Sequence, residues 1–270
     1  MDLSADQYAK LSELLERHAG IRLGAGKEYL VLSRLGGLIS HLGLDGFEGL
    51  LRRLQGGGDR LLLTHVIDAM TTNETFWFRD PAHYQILTRD VLPALESRQA
   101  RIWSAAASTG QEAYSIAMSI RSAVSARQLP MDFSFEILGT DISEKALQQA
   151  ESGRYCGLAA TRGLDHEQRQ RYFSGDGDCI EVQPVFRRNV SFRNFNLLAT
   201  YAALGRFDVI FCRNVLIYFS QERKRDIIER FHGALRPGGC LFLGSTESMN
   251  SHEDLFEMRR HGAGLVFYRR

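Results

Sequence analysis

The chain has 270 residues, 44% hydrophobic and 24% charged, with 33 Lys and Arg against 32 Asp and Glu for a formal charge of +1. That is enough apolar material for a full core in one large or two smaller domains, and it argues against a disordered chain. The near-neutral, interleaved charge excludes a global field that would gather nucleic acid or an anionic membrane, so any charged partner must meet a local patch.

The first residues, Met1-Asp2-Leu3-Ser4-Ala5-Asp6, are acidic and carry no apolar signal core. No apolar run of about 18 residues follows, so no membrane insertion is expected. After a Ser4-x-x-Gln7 capping-box pattern, Tyr8, Leu11, Leu14, Leu15 and Ala19 recur at helical spacing over residues 4–19. A second helix is predicted over 27–42. A third opens at Asp45-x-x-Glu48 and stops at Gly56-Gly57-Gly58, and a fourth runs from 60 to 71. The first 70 residues thus read as an all-helical domain without a catalytic cluster.

After residue 100 the pattern changes to short apolar runs alternating with helical stretches. Strands are predicted at 101–106, 133–139, 207–212 and 240–244, and helices at 111–126, 143–151 and 221–235, the last closed by Arg236-Pro237-Gly238-Gly239. This alternation predicts a doubly wound α/β domain over 71–270. Alternating Ile180, Val182, Val185, Val190 and Phe192 beside Gly175 and Gly177 predict a small antiparallel β-subdomain inserted at 176–195. Cys156, Cys179, Cys212 and Cys240 show neither Cys-x-x-Cys nor Cys/His spacing, so zinc and a disulfide framework both lack support and a reducing cytoplasm fits.

In such sheets ligands bind beyond the carboxyl ends of the strands. After the first strand comes Ala105-Ala106-Ala107-Ser108-Thr109-Gly110-Gln111-Glu112, small residues that admit a ligand to the backbone or simply make a tight strand-helix turn. After the second comes Gly139-Thr140-Asp141, where the carboxylate either accepts two ribose hydroxyls or caps the helix near Ser143. Gly110 and Asp141 stand farther apart than the roughly 20 residues of a dinucleotide fingerprint, which argues against NAD. After the strand at 207–212, Arg213 and Asn214 interrupt an apolar run, and polar groups there need partners. By composition alone, Thr71 to Pro81 with Phe76, Trp77 and Phe78 reads first as interdomain packing.

Taken together, Thr71-Thr72-Asn73-x-Thr75-x-x-x-Arg79, Ala105 to Ser115, Gly139-Thr140-Asp141-Ile142, Asn196-Leu197-Leu198 and Phe211 to Phe219 resemble the chemotaxis protein methyltransferase family, CheR, in the right order over nearly the whole chain. The resemblance implies a Rossmann-like methyltransferase sheet preceded by an all-α receptor-docking domain, with S-adenosylmethionine as cofactor and S-adenosylhomocysteine as its product. It implies that Asn73, Thr75 and Arg79 line the pocket entrance and that Glu112 holds the methionine α-amino group. Asp141 would take the ribose, Asn196 and Leu197 flank the adenine, and Arg213 and Asn214 close the floor. Arg79 and Tyr218 would stand nearest the transferred methyl. The implied substrates are glutamate side chains on the cytoplasmic helical domains of chemoreceptors, met by a monomer, and some members also take a receptor's C-terminal pentapeptide as an added strand.

Two departures stand out. The family's usual Glu-Glu-Pro is Gln111-Glu112-Ala113 here, and the helix at 27–42 carries Lys27 and Arg34 where several arginines are usual. The rival readings are a related methyltransferase of a small molecule, another protein or RNA, the last disfavoured by the lack of a basic stripe, and a non-catalytic adaptor that keeps the pocket as a sensor.

Overall fold

The computed structural model describes residues 2–56, 59–175, 177–249 and 253–270; Gly57 and Gly58 of the glycine triplet and Asp176 lie outside it. Four helices come first: α1 (Ala5–Ala19), α2 (Glu28–His41), α3 (Gly46–Gln55) and α4 (Arg60–Met70). The Ser4 capping box forms as expected, with the Ser4 hydroxyl accepting from the Gln7 N–H and the Gln7 side chain accepting in return. Asp45, by contrast, makes no side-chain cap at α3. Tyr8, Leu11, Leu15, Val31, Leu35, Ile39, Leu50 and Val66 form a core of this domain's own, and each such burial contributes about 1.5–3 kcal/mol.

A linker leads to α5 (Pro81–Ile86), and the α/β domain follows as β1 (Gln99–Ala105), α6 (Gln111–Ser125), β2 (Ser134–Asp141) and α7 (Glu144–Ser152). Next come β3 (Arg154–Cys156), α8 (His166–Tyr172), β4 (Phe173–Ser174), β5 (Cys179–Val182) and α9 (Pro184–Arg187). The chain ends with β6 (Val190–Asn194), β7 (Phe207–Cys212), α10 (Gln221–Ala234), β8 (Leu235–Leu243), β9 (Phe256–His261) and β10 (Gly264–Arg269).

Seven strands form one sheet in the order β6-β2-β1-β7-β8-β10-β9. The run from β6 to β8 is parallel, and β10 is antiparallel to both β8 and β9. Alternate residues feed two cores. Ile102, Val209 and Phe211 point to one face, and Trp103, Ile210 and Cys212 to the other, which is why β7 is buried throughout. No helix among the described residues is long and apolar enough to cross a membrane.

Three expectations are corrected. The small antiparallel sheet is β3-β5-β4, built from residues 154–182, whereas Val190–Asn194, assigned to the insertion at 176–195, is the outer parallel strand beside β2. Alternation marks a strand but not its partner, and the short α9 between β5 and β6 redirects the chain. Second, Arg236 to Gly239 lies within β8 instead of ahead of it, and the pairing with β7 shifts register between Phe207 and Val209. Third, Cys156 and Cys179 form a disulfide across a separation of 23 residues. They are directly opposed on β3 and β5, a consequence of ladder register that spacing along the chain does not reveal. Cys212 and Cys240 are free and buried.

Candidate active site

The carboxyl ends of β1, β2 and β7 open on one side of the sheet, facing the end of α1, the start of α2 and the linker after α4. Between them lies a cavity of about 160 Å³. All ten residues singled out from the sequence line it: Asn73, Thr75, Arg79, Glu112, Asp141, Asn196, Leu197, Arg213, Asn214 and Tyr218. The linker 71–81 is therefore both interdomain packing and cavity wall. Trp77 is fully buried, donating from Nε1 to the Ala159 carbonyl of the small-sheet region, while Asn73, Thr75 and Arg79 face the cavity.

The walls are strained. Phe78, Asp80, Ala106, Ser108 and Asn214 all have φ between 50° and 60°, a region costly for residues with a Cβ. Three of these are held by a buried charged side chain. The Asp141 carboxylate accepts the Ser108 N–H at 2.8 Å and the Ser143 N–H at 2.9 Å. Ser143, not Asp141, then caps α7 through the Ala146 N–H. Each Asp141 oxygen keeps a second acceptor direction, so the carboxylate is aimed and still able to take hydroxyls. Burial pushes its pKa up, against the backbone N–H groups that favour the charge.

Arg213 holds the second. Its guanidinium donates to Glu112 Oε2 at 3.0 Å, to Asp80 Oδ2 at 2.8 Å, to the Tyr84 hydroxyl at 3.3 Å and to the Arg79 carbonyl. Glu112 is fixed again by the Ser104 hydroxyl at 2.7 Å. Burial raises the Glu112 carboxyl, with Arg213 opposing, while burial works against the Arg213 charge and is outweighed only by Glu112, Tyr84 and Asp80 together. Arg213 is thus engaged chiefly with protein groups, tying the linker to the sheet.

The third is Asn214, held by Glu247, which accepts from Asn214, Leu216 and Gly244 N–H groups. Sequence reasoning missed Glu247; its signal was a carboxylate three residues past the last predicted strand, on the side where the other loops emerge. Arg34, noted in the sequence only as one of two basic residues of the helix predicted at 27–42, lies at the cavity. Its guanidinium donates to the Met70 and Thr71 carbonyls and to the Thr72 hydroxyl, because α2 packs on α4 and aims it at the linker.

The helical domain completes the cavity. The Asn196 amide donates to the His18 carbonyl at 2.7 Å, the Arg22 N–H donates to the Tyr218 carbonyl at 3.1 Å, and Gly20, left-handed at φ 70°, lies against the Phe219 ring. Asn73 bridges both sides, donating to the Ser143 hydroxyl at 3.3 Å and accepting at its carbonyl from Ser108 at 3.0 Å. Tyr218 is 38% exposed at the rim and open to solvent.

An adenosyl cofactor fits these donors. Asp141 offers aimed acceptors, Ala106 to Ser108 bring backbone close, and Asn214 Oδ1 is buried with no hydrogen-bond partner in the protein.

Comparison with known proteins agrees. Residues 6–71 match the all-alpha domain of CheR methyltransferases and residues 73–264 match their SAM binding domain. The chain is 45% identical over 260 residues to chemotaxis protein methyltransferase 1 of Pseudomonas aeruginosa, covering 94% of each. It is 43% identical over 265 residues to a chemotaxis protein methyltransferase of Pseudomonas putida, covering 96% of each. With the chemotaxis protein methyltransferase of Escherichia coli it shares 35% identity over 262 residues, 95% of this chain and 89% of that one. The chain belongs to the CheR family of chemotaxis methyltransferases, whose cofactor is S-adenosylmethionine.

Proposed function

We propose that this enzyme is a protein-glutamate O-methyltransferase that esterifies side-chain carboxylates on the cytoplasmic helical domains of chemoreceptors, working as a monomer in the cytoplasm. The observation that carries this is the character of the cavity: among the described residues its lining contains no histidine or cysteine, and its buried carboxylates Glu112 and Asp141 are engaged with Arg213, Ser104 and backbone N–H groups. An ammonium substrate must lose a proton to expose its lone pair and a hydroxyl is a weak nucleophile without a base, whereas a glutamate carboxylate is already ionised at neutral pH. Arg22, Lys27 and Arg79 line the cavity as cations that favour an incoming carboxylate.

Bound there, S-adenosylmethionine supplies an electrophilic methyl group on a cationic sulfur and leaves as S-adenosylhomocysteine. The protein's part is alignment. Asp141 takes the ribose hydroxyls, Asn73 and Thr75 close the entrance, Asn196 and Leu197 flank the adenine, and Glu112 meets the α-amino group. Arg79 and Tyr218 orient the attacking oxygen in a partly dehydrated pocket, where neutralisation of opposite charges is favoured. The outer strands β3 and β4 are edges to which a receptor's C-terminal peptide adds.

The test is incubation with labelled cofactor and receptor-bearing membranes. Label released from receptor by mild base is expected, as for a carboxyl ester. Base-stable label, or none, overturns the assignment.

A further inference from the structure

The loop after β7 carries Asn214 and Tyr218, and its first turn is fixed from an unexpected direction. Glu247, past the end of β8, is 9% exposed, and its carboxylate accepts three backbone N–H groups. Oε2 takes those of Asn214 and Gly244 and Oε1 takes that of Leu216, each at 2.8 Å. Because β7 and β8 are parallel neighbours, their carboxyl-end loops emerge side by side, and an acceptor from one satisfies donors of the other. The packing is close: a Cβ at Gly244 would lie 2.7 Å from Asn214 Nδ2 and 2.9 Å from Glu247 Oε2. Asn214 is thereby held at φ 59° with its Oδ1 buried and unpaired. Glu247 itself does not line the cavity.

We propose that Glu247 is a positioning residue for methyl transfer, locking the left-handed Asn214 so that its side chain meets the cofactor and the following turn delivers Tyr218. This rests on the cavity being the cofactor site. It repeats a pattern, since the Asp141 carboxylate accepts the backbone N–H of left-handed Ser108 as Glu247 accepts that of Asn214. The full negative charge matters. Glutamine would present one acceptor and one NH₂ to three N–H donors, turning one or two of the contacts repulsive.

The experiment is a double-mutant cycle on S-adenosylhomocysteine affinity, measured by calorimetry on the full chain for wild type, Asn214→Ala, Glu247→Gln and the double variant. Each single change is expected to weaken binding about tenfold. The double variant is expected to stay within about twofold of the weaker single, because both remove the same contact. Wild-type affinity in Glu247→Gln, or losses that multiply to about a hundredfold in the double variant, overturns the proposal. Should Glu247→Gln not fold, Glu247→Asp, which keeps the charge on a shorter arm, enters the same cycle under the same criteria. Receptor is absent from this measurement, so a negative esterification result leaves Glu247 standing, and multiplying losses leave the receptor assignment standing.

Discussion

Glu112 Oε2 and Arg213 Nη1 stand 3.0 Å apart in a buried ion pair that joins the start of α6 to the end of β7 and, through Asp80, to the linker. Under the proposed function the pair ties cofactor recognition to stability, and two substitutions separate them. Glu112→Ala leaves Arg213 with Asp80 as its one carboxylate partner and should cost about 3 kcal/mol in urea denaturation, as breaking a buried pair does. Glu112→Gln can keep the hydrogen bonds and should cost about 1 kcal/mol, yet lose tenfold or more in cofactor affinity with the charge proposed to meet the α-amino group. A Gln variant with wild-type affinity would mean that Glu112 serves Arg213 only.

Arg79 presents the opposite balance. Its carbonyl is held by Arg213, but its side chain only approaches the Phe76 ring, 5.4 Å from guanidinium to centroid, at the cavity wall. Arg79→Ala should therefore change stability by no more than about 0.5 kcal/mol. Turnover should fall on the order of 100-fold, as when one transition-state donor is removed. A stable variant with full activity in the labelled-methyl assay would remove Arg79 from the chemistry.

Legibility followed the range of the interaction. The four N-terminal helices were readable because Tyr8, Leu11, Leu15 and Ala19, or Val31, Leu35 and Ile39, repeat on one face, a local property. The cavity residues were readable because strand ends are where such sheets bind ligands, and because Asn73, Asp141 and Asn214 sit in recognisable motifs. What stayed hidden depends on register and on distant contacts. The Cys156–Cys179 pairing follows from the β3–β5 ladder, the place of Val190–Asn194 from pairing with β2, and the work of Arg34 and Glu247 from backbone groups 36 and 33 residues away.

Gly20 tests the contribution of the helical domain to the site. It ends α1 at φ 70°, and a Cβ there would lie 2.3 Å from Phe219, the residue after Tyr218. Gly20→Ala should destabilise by about 1–2 kcal/mol from the left-handed backbone alone and lower kcat further by displacing Phe219 and hence Tyr218. Gly36→Ala is the control. It lies within α2 with nothing within 4 Å of its added Cβ, and it should stabilise by about 0.5–1 kcal/mol with activity unchanged. Equal kcat in Gly20→Ala and wild type would show that the docking of α1 does not bear on catalysis.

His83 predicts a pH dependence. Its ring packs on Phe242 at 5.4 Å between centroids, with Nδ1 buried and unpaired. Burial, reinforced by the Arg213 charge and opposed by Asp80, holds its pKa down to about 4 from the ordinary 6.5. Between those values the unfolded chain takes a proton that the folded chain refuses. The stability from this residue is therefore complete above pH 6.5 and is lost as pH falls toward 4. From pH 7.5 to 4.5 the loss should be about 2.5 kcal/mol, read as the difference between wild type and His83→Gln in urea denaturation so that carboxylates common to both cancel. Identical pH profiles would show that the ring is not kept neutral. Because a proton on His83 puts a second cation beside Arg213, its uptake by the folded chain should loosen the Arg213 contacts that hold Asp80 and Glu112, so cofactor affinity should weaken only as pH falls through about 4, in wild type but not in the variant.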